Sequence, residues 1–215
     1  MDITRIRALR GPNLWSRQTA IEAVVTCDES ERDLRTTPAF ETHLRELFPA
    51  VGLLHAEHPD APLSMAHALE LCALALQAQA GCPVTFSRTT PTEIAGTYQV
   101  AVQYTEEAVG RLAFVKAQEL CQAAAEGGAF DSAAALAELR ELDEDERLGP
   151  STGAIAHAAV ARGIPIRRLT RGSLVQFGWG SRQRRIQAAE EDSTSAIAES
   201  IAQDKDLTKT LLSAA

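Results

Sequence analysis

The sequence predicts an α+β protein, with a mixed sheet and helices packed on it, and three observations carry that prediction. Short segments of alternating apolar residues recur near both ends of the chain. Longer segments with helical spacing lie between them, and the period turns from helical to strand-like just beyond residue 160. At 215 residues the chain exceeds one average domain. The change of period sets the expected division, with residues 1–160 as a first domain and residues 161–215 as the beginning of a second.

The elements follow in order. Asp2 to Leu9 alternates Ile3, Ile6 and Ala8 with Arg5 and Arg7 and then meets Gly11-Pro12-Asn13, a strand running into a turn. Ile21 to Cys27 reads as a second strand. Phe40, Leu44, Leu47 and Phe48 share one stripe of a helix that Pro49 ends. Ser64 to Ala80 lacks glycine and proline and is apolar around most of its circumference, the mark of a buried helix, with Ser64 as N-cap and Gly81 as stop. Thr97 to Tyr104 alternates as a strand, and Glu106 to Ala125 is a helix closed by Gly127-Gly128. Asp131 to Leu142 is a short amphipathic helix with an acidic tail. Gly149-Pro150-Ser151 then starts an alanine-rich helix that runs through Arg162. Strand-like pieces follow at Pro165 to Leu169, Leu174 to Phe177 and Arg185 to Ala188, and two helices, Thr194 to Gln203 and Lys205 to Ala214, complete the pattern.

Composition narrows the function classes. Hydrophobic residues make up 45% of the chain and charged residues 23%, the balance of a soluble protein. No apolar run approaches the roughly 18–20 residues that cross a bilayer, and no basic-then-apolar leader opens the chain, so a cytoplasmic protein without a membrane partner is expected. Cys27, Cys72, Cys82 and Cys121 form no CxxC pair and read as buried thiols. Between Ser151 and Ala189 stand seven arginines and no acidic residue, leaving the remainder at −15 within an overall charge of −8. Such asymmetry suits either an anion-binding surface or a solvated basic face. A nucleic-acid partner is not expected, because the acidic whole repels phosphate and no recognition motif accompanies the arginines.

Several strings together resemble the cyanophycin synthetase family: Leu9-Arg10-Gly11-Pro12-Asn13-Leu14-Trp15-Ser16, Leu148-Gly149-Pro150-Ser151-Thr152, Gln176-Phe177-Gly178-Trp179-Gly180 and Arg185-Ile186-Gln187-Ala188. Ser87-Arg88-Thr89 and Tyr104-Thr105-Glu106-Glu107 extend the likeness, which is collinear from end to end. The resemblance implies an N-terminal domain followed by the first elements of an ATP-grasp fold. Full-length members polymerise aspartate and arginine with ATP and Mg²⁺, and a homo-oligomer is expected. No cofactor is expected for this chain alone, since GxxxxGK[ST] is missing and a nucleotide cleft needs the rest of the ATP-grasp domain. By the same resemblance, the N-terminal domain holds the polymer and Lys205 is a candidate to approach ATP phosphate, while the arginine-rich charge pattern makes Arg182, Arg184 and Arg185 candidate polymer contacts.

In some relatives this domain resembles a metallopeptidase, because one helix carries HxxEH. Histidines four apart share a helix face and a zinc ion, while the glutamate takes a proton from metal-bound water. Here the matching residues are His67, Glu70 and Leu71. Leucine offers no electron pair, so His67 is left as a lone candidate ligand and no catalytic residue is assigned. The expectation is a chain that is inactive alone and positions polymer. A residual metal-dependent peptidase that makes primers, and an oligomerisation domain, are the alternatives. His55 and His58, beside Glu57 and Asp60, form a second cluster that the adjoining prolines assign to an exposed loop.

Overall fold

The computed structural model describes residues 1–52, 54, 63–188 and 190–214, in two compact units, Met1–Arg147 and Leu148–Ala215. In the first unit, β1 (Asp2–Leu9), β2 (Ala20–Thr26), β3 (Ser87–Pro91) and β4 (Thr97–Gln103) form a sheet of order β1-β2-β4-β3. Every neighbouring pair is antiparallel. The mixed sheet expected from the sequence is therefore corrected to an antiparallel one. β1 turns directly into β2 and β3 into β4, and the segment between β2 and β3 returns to the far edge of β4 without adding a parallel pair.

Alternation along the strands gives the sheet two unlike faces. One carries Ile21, Ala23, Val25, Val100 and Val102, all fully buried. Helices α1 (Pro38–Leu47), α2 (Met65–Ala80), α3 (Glu107–Glu126) and α4 (Ser132–Glu146) complete the unit, with α2 against β3 and β4, α3 against α2 and β2, and α1 and α4 against α3. The core joins the apolar sheet face to Leu69, Cys72 and Leu76 of α2 and Phe114, Leu120 and Cys121 of α3. Gly81 closes α2 at φ 107°, a conformation that favours glycine. Gly110 of α3 is needed for a different reason. A Cβ there would lie 2.7 Å from Tyr104 Cβ, so α3 meets the end of the sheet only because this position has no side chain.

The strand β3 escapes the sequence pattern. Ser87-Arg88-Thr89-Thr90-Pro91 has no apolar alternation, but an edge strand needs only one partner and tolerates polar residues and a terminal proline. All four cysteines are buried free thiols, as the sequence suggests. Burial pushes the Cys27 thiol up to about 11, too high for a reactive thiolate at neutral pH.

The second unit holds α5 (Pro150–Ala161), an antiparallel meander of β5 (Ile166–Arg168), β6 (Leu174–Phe177), β7 (Arg184–Gln187) and β8 (Glu190–Glu191), and the helices α6 (Ala196–Gln203) and α7 (Lys205–Ala214). The division expected at residue 160 falls within α5. Leu207, Leu211 and Leu212 of α7 are exposed, by 75% for Leu212. Among the described residues no helix is long and apolar enough to cross a membrane.

Candidate functional site

Three candidate regions and one that sequence reasoning missed can be compared. The first is the degenerate HxxEH helix. His67 lies in the first turn of α2, where the Ser64 backbone N–H donates to its Nδ1 at 3.1 Å and the Ser64 hydroxyl lies 3.0 Å from the same nitrogen. A nitrogen that accepts an N–H must carry the lone pair, so the ring is neutral with its proton on Nε2. Metal binding through Nε2 would move that proton to Nδ1 and break the cap. Glu70 is buried, and Leu71 packs against the core. Among the described residues no three His, Cys, Asp or Glu side chains are grouped to hold a metal ion. His55, His58, Glu57 and Asp60 lie outside the described residues.

Burial lowers the His67 pKa below its ordinary 6.5, and its ring meets Tyr98 edge-on at 5.8 Å. The unfolded chain therefore takes up this proton at a higher pH than the folded chain does. The linked stability is present above the unfolded pKa and is lost as pH falls below about 6.5. Chemical denaturation at pH 7.5 and 5.5 is expected to show a loss of stability in the wild type that His67→Gln lacks. Equal pH slopes in the two proteins would refute the assignment.

The second region is the arginine-rich strand pair. Arg184 and Arg185 are consecutive on β7 and so point to opposite sides of the meander, while Arg182 stands in the 3₁₀ turn before it. All three are exposed. Arg185 shares a cross-strand row with Gln176 and Arg167. The structure thus does not gather the three candidates on one face. The third region is Lys205, exposed in the first turn of α7. With Lys209, Thr208 and Ala202 it lines an open depression of about 330 Å³. Two ammonium groups on an open helix face supply charge for a phosphate but form no nucleotide cleft, so no step is assigned to ATP here.

The region missed from sequence is the sheet face turned away from the helices. Glu22 of β2 is 2% exposed there. Arg7 of β1, directly opposite in register, donates from Nε at 2.9 Å and from Nη2 at 3.0 Å to its two carboxylate oxygens. The Trp15 indole N–H donates at 2.9 Å, and Arg5 lies 3.6 Å away. Burial alone would raise the Glu22 pKa. The contacts with Arg7, Trp15 and Arg5 outweigh it and hold the carboxyl below its usual range.

The connection between β1 and β2 aims Trp15 at this carboxylate. Asn13 donates to the Gly11 and Gln18 carbonyls and accepts from the Trp15 and Ser16 backbone N–H groups. Arg10 ties the same loop to Glu107 at the start of α3, at 2.8 Å. The Gly11-Pro12-Asn13-Leu14-Trp15 string was thus the available signal, but sequence spacing could not say which carboxylate it serves.

Residues 23–126 match the cyanophycin synthase-like N-terminal domain family. The whole chain is 35% identical to cyanophycin synthetases of Geminocystis herdmanii (strain PCC 6308) and Trichormus variabilis (strain ATCC 29413 / PCC 7937), covering 26% and 25% of those proteins. It is 32% identical to the cyanophycin synthetase of Crocosphaera subtropica (strain ATCC 51142 / BH68) over 99% of its length. The chain therefore spans about a quarter of the length of the curated relatives it matches. With an antiparallel sheet and packed helices spanning the matched residues, this chain is similar to cyanophycin synthetases along its entire length and carries the match to their N-terminal domain over residues 23–126.

Proposed function

We propose that this chain binds and positions cyanophycin, the arginine-decorated polyaspartate, as the N-terminal portion of an ATP-dependent ligase that polymerises aspartate and arginine. The observation that carries the reading is similarity along the entire chain to cyanophycin synthetases, joined to a helix whose metallopeptidase motif has lost one ligand to Leu71 and commits the other, His67, to a cap. A chain built in this way grips polymer without cutting it. In this reading residues 161–215 are the beginning of an ATP-grasp domain, and ATP, Mg²⁺, aspartate and arginine are engaged by the longer protein. Lys205 reaches nucleotide phosphate only there. A cytoplasmic homo-oligomer is the expected form.

The polymer carries both carboxylates and guanidinium groups. Mixing the purified chain with insoluble cyanophycin and centrifuging is expected to bring the protein into the pellet and to release no arginine-aspartate dipeptide. Protein that remains in the supernatant would refute polymer binding. Zinc-dependent release of dipeptide would instead establish the peptidase alternative.

A further inference from the structure

We infer that the open face of the first sheet is the polymer-contact surface, with Arg5, Arg7 and Arg88 receiving carboxylates around the buried Glu22. The inference rests on the polymer-binding reading above and gives it a location. Register places Arg7, Glu22, Ala101 and Arg88 in one row across all four strands. At about 4.8 Å per strand the two arginines at its ends stand roughly 14 Å apart, the reach of about four residues of extended chain. Ala101 and Glu22 between them are fully covered, so the centre of the row is closed and its accessible groups are the guanidinium groups at its ends. The next row, Arg5, Val24, Gln99 and Thr90, adds a third guanidinium and uncharged hydrogen-bonding groups.

The charges on this face are arranged for a ligand rather than for folding alone. One carboxylate faces three arginines. Glu22 engages Nε and Nη2 of Arg7, fixing the plane of that guanidinium, while Nη1 has no hydrogen-bond partner among the described residues. Arg5 is 58% exposed and only 3.6 Å from an oxygen already held by Arg7. Arg88 is exposed and has no ion-pair partner among the described residues. Local positive charge on a chain of net charge −8 is what a carboxylate-bearing ligand requires. A shallow groove of about 530 Å³ continues from the second row, lined by Arg5, Val24, Gln99, Thr97, Glu93 and Ile94. Glu93 supplies the opposite sign at its far end. A groove with a cation and an anion fits a polypeptide that presents carboxylate and guanidinium groups together, and fits a purely anionic chain less well.

The test uses insoluble cyanophycin and the full 215-residue chain. Arg5→Gln/Arg88→Gln is expected to bind at least about tenfold more weakly than wild type, with unchanged thermal unfolding because neither side chain is buried. Arg45→Gln, an exposed arginine on α1, is expected to bind as wild type does. Excess soluble arginine-aspartate dipeptide is expected to displace the protein more effectively than polyaspartate of equal carboxylate content. If wild type pellets and the double variant pellets equally, this location is refuted while polymer binding stands. Loss of binding in Arg182→Gln/Arg184→Gln/Arg185→Gln alone would move the site to the second unit. A wild-type chain that never pellets would overturn both readings together.

Discussion

Phe114→Ala is expected to lower the stability of the first unit by about 3–5 kcal/mol and its melting temperature by on the order of 10 °C. Phe114 is 1% exposed and among the largest fully buried side chains of the chain. It sits on α3, the helix that touches α1, α2, α4 and β2, so a cavity there is bounded by elements that cannot all close upon it. Its neighbour Val115 points the other way and is 50% exposed, and Val115→Ala is expected to change stability by less than about 0.5 kcal/mol. Calorimetry on the two variants decides the matter. Equal effects would mean that α3 does not pack by the face assigned to it.

That contrast also shows what the letters reveal. The helix α2 was legible because a helix buried on most sides is apolar around most of its circumference, and both α2 and α3 because glycine stops them at positive φ. β2 and β4 were legible because one face must be apolar. β3 was not, since an edge strand owes its place to β4 rather than to its own side chains. Sequence likewise showed that Leu71 breaks a metal-binding motif, a statement about one side chain. It could not show that His67 spends its lone pair on the Ser64 N–H, a statement about two.

The site on the sheet's open face was hidden for the same reason. Arg7 and Glu22 are 15 residues apart and Arg88 lies far along the chain, and only antiparallel register brings them into one row. An alternation of apolar and basic residues in β1 was visible, yet it reads equally as a solvated edge. The acidic partner gives the arginines a fixed geometry, and Glu22 sits in a strand that otherwise looks uniformly apolar. A charge in such a strand has to be paired, a second clue beside the Gly11-Pro12-Asn13-Leu14-Trp15 string.

Glu22→Ala separates that pairing from simple packing. Removing the carboxylate leaves the Trp15 indole N–H without its acceptor and Arg5 and Arg7 without their counter-charge on a face that is partly shielded from water. Because Arg5 and Arg7 are about half exposed, water recovers part of the loss. The expected cost is about 1–3 kcal/mol rather than the larger value of a fully buried pair. Glu22→Gln keeps an oxygen for the indole and is expected to cost less than the alanine variant. The wild-type contribution follows the sign of the lowered carboxyl pKa, present above the unfolded value near 4.5 and lost as pH falls through the folded one. Denaturant titrations at pH 7 and pH 3.5 are therefore expected to show the gap between wild type and Glu22→Ala narrowing in acid. A gap that stays constant with pH would mean that Glu22 stabilises the face by its volume alone, and Arg7 would then owe its orientation to the strand and not to the charge beside it.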